Sequence, residues 1–154
     1  MSQDFLRQMV LFKNLDDAQL VQLLTICMTK KVPANTRIFA EGDPASKLFL
    51  IREGEVRISK MIPGSGEEAL AILKAGDFFG EMALIDERVR SAYAIANTDC
   101  LLMEIQIKDL QDLMNKHQDV GYKFLWSFCT ILSSRLRATN DKVYGLFAMT
   151  SFLR

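Results

Sequence analysis

The chain has 154 residues, 49% of them apolar and 25% charged, and 19 basic side chains balance 19 acidic ones. That length suits one domain with its own core, and that composition argues against a disordered or membrane-spanning chain. A net charge of zero leaves no broad basic face for nucleic acid, so an anion site has to be local and direct nucleic-acid binding is not expected.

The opening residues Met1-Ser2-Gln3-Asp4 lack the basic and apolar regions of a secretion signal, and no apolar run approaches the ~18 residues of a membrane helix. A cytoplasmic protein without membrane contact is expected. Residues 4–31 carry a helical pattern in which Asp16 or Asp17 caps a helix, with Leu20, Leu23, Leu24 and Cys27 on one face and Pro33 as the stop. Residues 1–32 are therefore expected to form an N-terminal helical part.

From residue 33 to 106 the pattern changes to short strands. They are divided by turns at Glu41-Gly42-Asp43-Pro44, Glu53-Gly54, Pro63-Gly64-Ser65-Gly66, Ala75-Gly76-Asp77 and Asn97-Thr98-Asp99. Many short strands at even spacing predict a sandwich or jelly roll. Along residues 55–59 apolar and polar positions alternate, which points Val56 and Ile58 inward. Composition alone makes Ile58 and Leu70 core residues.

Within this region residues 76–94 concentrate chemistry suited to a phosphate. Gly80 lets the backbone turn closely around a ligand, and Glu81-Met82-Ala83-Leu84 starts a short helix whose free N–H groups face an anion. Arg90 returns nine residues after Glu81 with a planar fork of donors, and Ser91 adds a hydroxyl beside it. A carboxylate next to a phosphate repels it, so Glu81 suits a neutral partner such as a ribose 2′-hydroxyl. The spacing reads as a nucleotide pocket.

After Ile105 the helical period returns, with one helix over residues 108–117 and a longer one over about 119–143, started by Asp119. Leu125, Phe128, Leu132, Leu136, Thr139 and Val143 form one apolar stripe, and Val120, Phe124, Ile131 and Ala138 a second. Two stripes imply two neighbours. One is the barrel; the other is either the same helix of a second subunit, giving a two-fold homodimer, or the N-terminal helices of the same chain. Residues 144–154 remain as an apolar tail rich in Leu, Phe and Met, suited to a partner surface or to packing on its own domain.

Metal and covalent chemistry find little support. Cys27, Cys100 and Cys129 have no paired spacing for zinc or a redox motif and read as buried free thiols. His117 is the only histidine and falls between helices, which argues against a metal-dependent cupin or a histidine-assisted nucleophile. Gly64-Ser65-Gly66 lacks the lysine of a P-loop and reads as a hairpin turn. No metal and no enzyme activity are expected.

Phe79-Gly80-Glu81-Met82-Ala83-Leu84 followed by Arg90-Ser91-Ala92 resembles the phosphate-binding cassette of the cyclic nucleotide-binding domain family, residues 78–92 here, and the Glu-to-Arg spacing is that of the regulatory subunits of protein kinase A. The resemblance implies an α+β fold, a β jelly roll (double-stranded β-helix) flanked by N-terminal helices and a long C-terminal helix. It also implies that Glu81 accepts the ribose 2′-hydroxyl and Arg90 pairs with the cyclic phosphate. Ser91 and the N–H groups of Gly80, Glu81, Met82 and Ala83 would complete the cradle, with Ile58 and Leu70 lining the base and ribose.

Residues 134–143, Ser-Arg-Leu-Arg-Ala-Thr-Asn-Asp-Lys-Val, are similar to the dimer helix of the catabolite activator branch of that family. By that resemblance Arg135 braces Glu81, Thr139 bonds the adenine edge from the same subunit, and Asn140, which replaces the usual serine, reaches the base from the partner subunit. Guanine-selective members commonly carry Thr after the cassette arginine. Ser91 stands there, and together with Thr139 this favours cAMP over cGMP. No DNA-binding helix-turn-helix follows residue 143 in this chain. The expectation is a non-catalytic cAMP receptor that forms a homodimer through its C-terminal helix and signals to an unidentified regulatory protein. The alternative is the sensor part of a catabolite activator-like transcription regulator whose DNA-binding domain is missing.

Overall fold

The computed structural model describes residues 2–86 and 89–151. Glu87 and Arg88 of the cassette, and residues 152–154 of the expected tail, lie outside the described residues. The chain begins with helix α1 (Ser2–Gln8), a single 3-10 turn (Val10–Phe12) and helix α2 (Asp17–Leu24). Asp16 caps α2 in a reciprocal box. Its carboxylate accepts from the Gln19 N–H at 2.9 Å, and the Gln19 side-chain oxygen accepts from the Asp16 N–H at 3.0 Å.

Eight strands follow: β1 (Cys27–Val32), β2 (Arg37–Phe39), β3 (Lys47–Glu53), β4 (Glu55–Ile62), β5 (Gly66–Lys74), β6 (Phe78–Phe79), β7 (Tyr93–Ala96) and β8 (Cys100–Gln106). They form two antiparallel sheets, in the orders β1-β8-β3-β6 and β2-β7-β4-β5. With the helices at either end this is a helix-flanked β jelly roll, the architecture that the sequence resemblance implies. Each of the five turns expected from sequence falls between strands.

Strands β3 and β8, at the centre of the first sheet, are buried on both sides, and period-two alternation sorts their side chains. Phe49, Ile51, Cys100 and Leu102 face the second sheet, where Val56, Ala94 and Ala96 meet them. Leu48, Leu50, Met103 and Ile105 face the helices and pack with Leu6, Phe12, Leu20, Leu110, Val120, Phe124 and Phe128. Burial on both sides explains why β3 and β8 read as nearly continuous apolar runs. The two-residue strand β6 divides in the same way, with Phe78 in the helical core and Phe79 in the sandwich core.

Three helices complete the chain: α3 (Ala83–Asp86), α4 (Ile107–Lys116) and α5 (Gln118–Ser151). The N-terminal helices are pinned to α5. Asn14 donates to the Ser127 hydroxyl at 2.9 Å, and Gln19 donates to the Asp119 carboxylate at 2.6 Å. Asp119 thus lies inside the first turn instead of at the cap.

Several sequence expectations need correction. The helical part does not reach residue 32: α2 stops at Leu24, where the Thr25 hydroxyl donates to the Gln22 carbonyl, and residues 27–32 pair with β8 as an edge strand. Pro33 therefore ends a strand. Long-range pairing overrode a local pattern that had placed Cys27 on a helix face. Residues 144–151 are not a separate tail but the last turns of α5. The two α5 stripes divide along the helix as well as around it: Val120, Phe124 and Phe128 are buried in this chain, Leu136 and Val143 are exposed, and Phe128 at 1% exposure belongs to the core and to no subunit interface. Cys100 is buried and Cys27 half-buried, but Cys129 is an exposed thiol on α5. Leu70 is 49% exposed and is not core; it is the extra residue of a bulge, between Ala71 opposite Ile58 and Ala69 opposite Ser59.

Candidate functional site

The cassette begins where β6 ends. Gly80 has φ of +79°, and a Cβ there would lie 2.6 Å from Nη1 of Arg90 and 2.9 Å from the Lys47 carbonyl oxygen, so both conformation and space require glycine. The chain then turns into α3, where the Leu84 N–H bonds to the Glu81 carbonyl at 3.0 Å and the Ile85 N–H to the Met82 carbonyl at 3.1 Å. The N–H groups of Glu81, Met82 and Ala83 precede the first one engaged in this way, as at any helix start.

Arg90 is brought back by the turn between β2 and β3. Its N–H donates to the Asp43 carbonyl at 2.8 Å, and its carbonyl accepts from the Gly42 N–H at 2.9 Å. The side chain runs inward and is 6% exposed. Nη1 donates to the Gly80 carbonyl at 3.2 Å and Nη2 to the Lys47 carbonyl at 2.8 Å. The guanidinium lies over Phe39 and Phe49, 4.3 and 5.5 Å from their ring centroids. Its Nε–H has no acceptor, and among the described residues no carboxylate stands within 4 Å of it. Burial lowers its pKa from the ordinary value, while the charges of Glu81 and Asp43 act in the opposite direction. Arginine remains a cation at neutral pH, and a buried cation without a directly paired carboxylate is costly. An anion in the cavity beside it would offset that cost.

Glu81 is engaged from the other side. Nη1 of Arg135, on α5, donates to its Oε1 at 2.6 Å, Nη2 reaches the Phe78 carbonyl at 3.3 Å, and the guanidinium lies 4.5 Å from the Phe78 ring centroid. One arginine thereby fastens α5 to both β6 and the cassette.

These groups border a cavity of about 430 Å³, within the usual range for small-molecule sites. Gly80, Glu81, Met82, Ala83, Arg90, Ser91, Ile58, Leu70, Arg135 and Thr139 all line it. Asn140 is exposed and does not border it. The Thr139 hydroxyl donates to the Arg135 carbonyl at 3.0 Å. Sequence reasoning missed Phe39 and Lys142, which also line the cavity. Lys142 had a usable signal, since it stands seven residues after Arg135 on the same helix face. Phe39 had none, because only strand pairing brings residues 39 and 90 together.

The family described as "Cyclic nucleotide-binding domain" matches residues 29–117. The cAMP-activated global transcriptional regulator CRP of Salmonella typhimurium is 32% identical over 139 residues, covering 90% of this chain and 64% of that protein. Glutaminase 1 of Bradyrhizobium diazoefficiens is 32% identical over 138 residues, covering 90% of this chain and 22% of that protein. The chain thus spans less than two thirds of the length of either relative. Among solved structures, a cyclic nucleotide-binding domain from Methylobacillus flagellatus KT superposes with a TM-score of 0.83 at 26% identity, over 92% of this chain and 84% of that one. The matched segment holds the whole cassette and both sheets from β1's third residue onward, and its fold agrees with the architecture found here: the chain belongs to the cyclic nucleotide-binding domain family.

Proposed function

We propose that this chain is a non-catalytic receptor for a cyclic purine nucleotide, cAMP in preference to cGMP, that dimerises through α5 and signals to a protein partner through that helix or its C-terminal end. The observation that carries the reading is the Arg90 guanidinium, buried at the cavity wall with its Nε–H unsatisfied and, among the described residues, no carboxylate within 4 Å. A cyclic phosphate supplies the missing charge and acceptors. Gly80, whose missing Cβ keeps the backbone close to Arg90, supports the same placement.

In this arrangement the phosphate sits among Arg90, Ser91 and the N–H groups that open α3. The ribose 2′-hydroxyl donates to Glu81, whose charge Arg135 balances. The base lies between Ile58 and Leu70 on the sheet side and Thr139 on α5. Dimerisation is supported by the exposed side of α5: Tyr122, Cys129, Leu136 and Val143 recur every seven residues, with Leu125 and Leu146 exposed beside them, which suits a heptad seam. Asn140, beside that seam, is placed to approach a ligand held by the second subunit.

Calorimetric titration with cAMP and cGMP tests the reading. Arg90→Ala is expected to weaken cAMP binding by about 2–5 kcal/mol, because the phosphate loses a charge-assisted partner in a largely desolvated place. Equal affinity in the two proteins removes the assignment. Glu81→Ala is expected to weaken cAMP far more than 2′-deoxy-cAMP, which has no hydroxyl to lose. A second reading, the sensor segment of a longer transcription regulator, is favoured by the 64% coverage of the CRP relative. Specific DNA retention by the full native reading frame would support it, and recovery of a ligand-dependent protein partner would support the adaptor reading.

A further inference from the structure

Four residues of α5, Arg135, Ala138, Thr139 and Lys142, recur at spacings of three and four and border the cavity together. Their chemistry changes along the helix. At the cassette end, the charge of Arg135 is answered by Glu81. Two turns further, about 10 Å away at 1.5 Å per residue, Lys142 borders the same cavity, and its ammonium group has no carboxylate within 4 Å among the described residues. Between them, Thr139 commits its one hydroxyl proton to the Arg135 carbonyl. Toward the cavity this hydroxyl can therefore only accept, whereas a lysine can only donate. The end of the cavity away from Glu81 thus offers one acceptor and one donor, three residues apart on one helix face.

We infer that Lys142 is a further base-binding residue: it donates to a ring nitrogen of the base while Thr139 accepts from the adjacent amino group, so that the pair together meets the edge of a 6-aminopurine. The inference rests on the cyclic nucleotide reading above. Adenine presents an amino donor beside a ring-nitrogen acceptor, which complements the pair. On the edge that carries N7, guanine turns two acceptors, O6 and N7. Thr139 then faces an acceptor and only Lys142 is satisfied. Discrimination comes from the unmatched threonine and binding strength from the lysine.

Calorimetry on the full chain decides it, with wild type, Lys142→Met and Lys142→Arg titrated with cAMP, 7-deaza-cAMP, 1-deaza-cAMP and cGMP. Lys142→Met is expected to lose about tenfold in cAMP affinity, the loss of a hydrogen bond from a charged donor, and Lys142→Arg to recover part of it. Wild type is expected to lose a similar factor on the deaza analogue lacking the contacted nitrogen, and on that analogue Lys142→Met should cost nothing further. Unchanged cAMP affinity in Lys142→Met overturns the inference. So does an equal loss on all four ligands, which is the signature of charge alone. Wild type that binds none of the four nucleotides defeats the receptor reading itself and this inference with it.

Discussion

Arg90 is immobilised before any ligand arrives: two carbonyls hold its terminal nitrogens and two phenylalanine rings support its plane. Its rotamer entropy is already lost, so an anion meets a preorganised donor. Gly80 is the other half of this geometry. Gly80→Ala introduces a left-handed alanine and a methyl 2.6 Å from the guanidinium. It is expected to reduce cAMP affinity at least as much as it destabilises the fold, with a stability loss of about 1–3 kcal/mol in urea titration. A second residue-scale prediction concerns the thiols. Burial pushes the Cys27 pKa up to about 12, well above the ordinary thiol value of about 8.5. The folded state then holds this proton more tightly than the unfolded state. Its contribution to stability is complete below about pH 8.5 and is lost as pH rises toward 12. Denaturation of wild type is therefore expected to show a steeper alkaline decline than Cys27→Ala. Cys129 is exposed on α5 in the single chain but lies in the proposed seam, so it is expected to react slowly with a maleimide at pH 8 in the dimer and fast in a Leu136→Glu monomer.

At the scale of elements, α5 does two jobs along one length. Its first three turns complete the core through Val120, Phe124 and Phe128, and its remaining turns wall the cavity on one side and present Leu136 and Val143 to solvent on another. The two halves are experimentally separable. Phe128→Ala is expected to lower unfolding stability by about 3–5 kcal/mol without changing subunit number. Leu136→Glu is expected to leave the fold intact and convert the dimer to monomer in light scattering. A wild-type monomer at high concentration would remove the seam. The helix ends were the least legible elements. A cap at Asp16 or Asp17 and the alternation along β4 are written in nearest neighbours, so local reading reached them, although the reciprocal bond from Gln19 came only with the structure. Strand β1 is not: Met28, Thr29, Lys30 and Lys31 have no inward-facing apolar pattern, and only the opposite strand at Cys100 to Ile105 makes them a strand. The continuation of α5 past Val143 was hidden for the converse reason, since an exposed apolar helix and an apolar tail have the same composition.

For the whole molecule, ligand and fold stability are linked. A nucleotide that binds only the folded state, present at about 100 times its Kd, adds about 2.7 kcal/mol, which for a chain of this size raises the melting temperature by about 5–10 °C. A scanning melt with cAMP is expected to show this rise in wild type and no more than about a third of it in Arg90→Ala at the same concentration. The site was more legible than its surroundings because Gly80, Glu81, Arg90 and Ser91 lie within twelve residues. The groups that hold Arg90, namely the Lys47 carbonyl and the Phe39 and Phe49 rings, come from strands far away in sequence, and backbone carbonyls carry no signal of residue type. Phe78 and Phe79 have a mechanical consequence. They are adjacent in the chain, yet one ring is embedded in the helical core beneath Arg135 and the other is stacked on Phe49, 4.9 Å away, inside the sandwich. Gly80 follows this dipeptide directly. Close-packed cores resist continuous deformation, so a displacement imposed at Gly80 would load both cores at once, and Phe78, beneath Arg135, is the route by which α5 would register it.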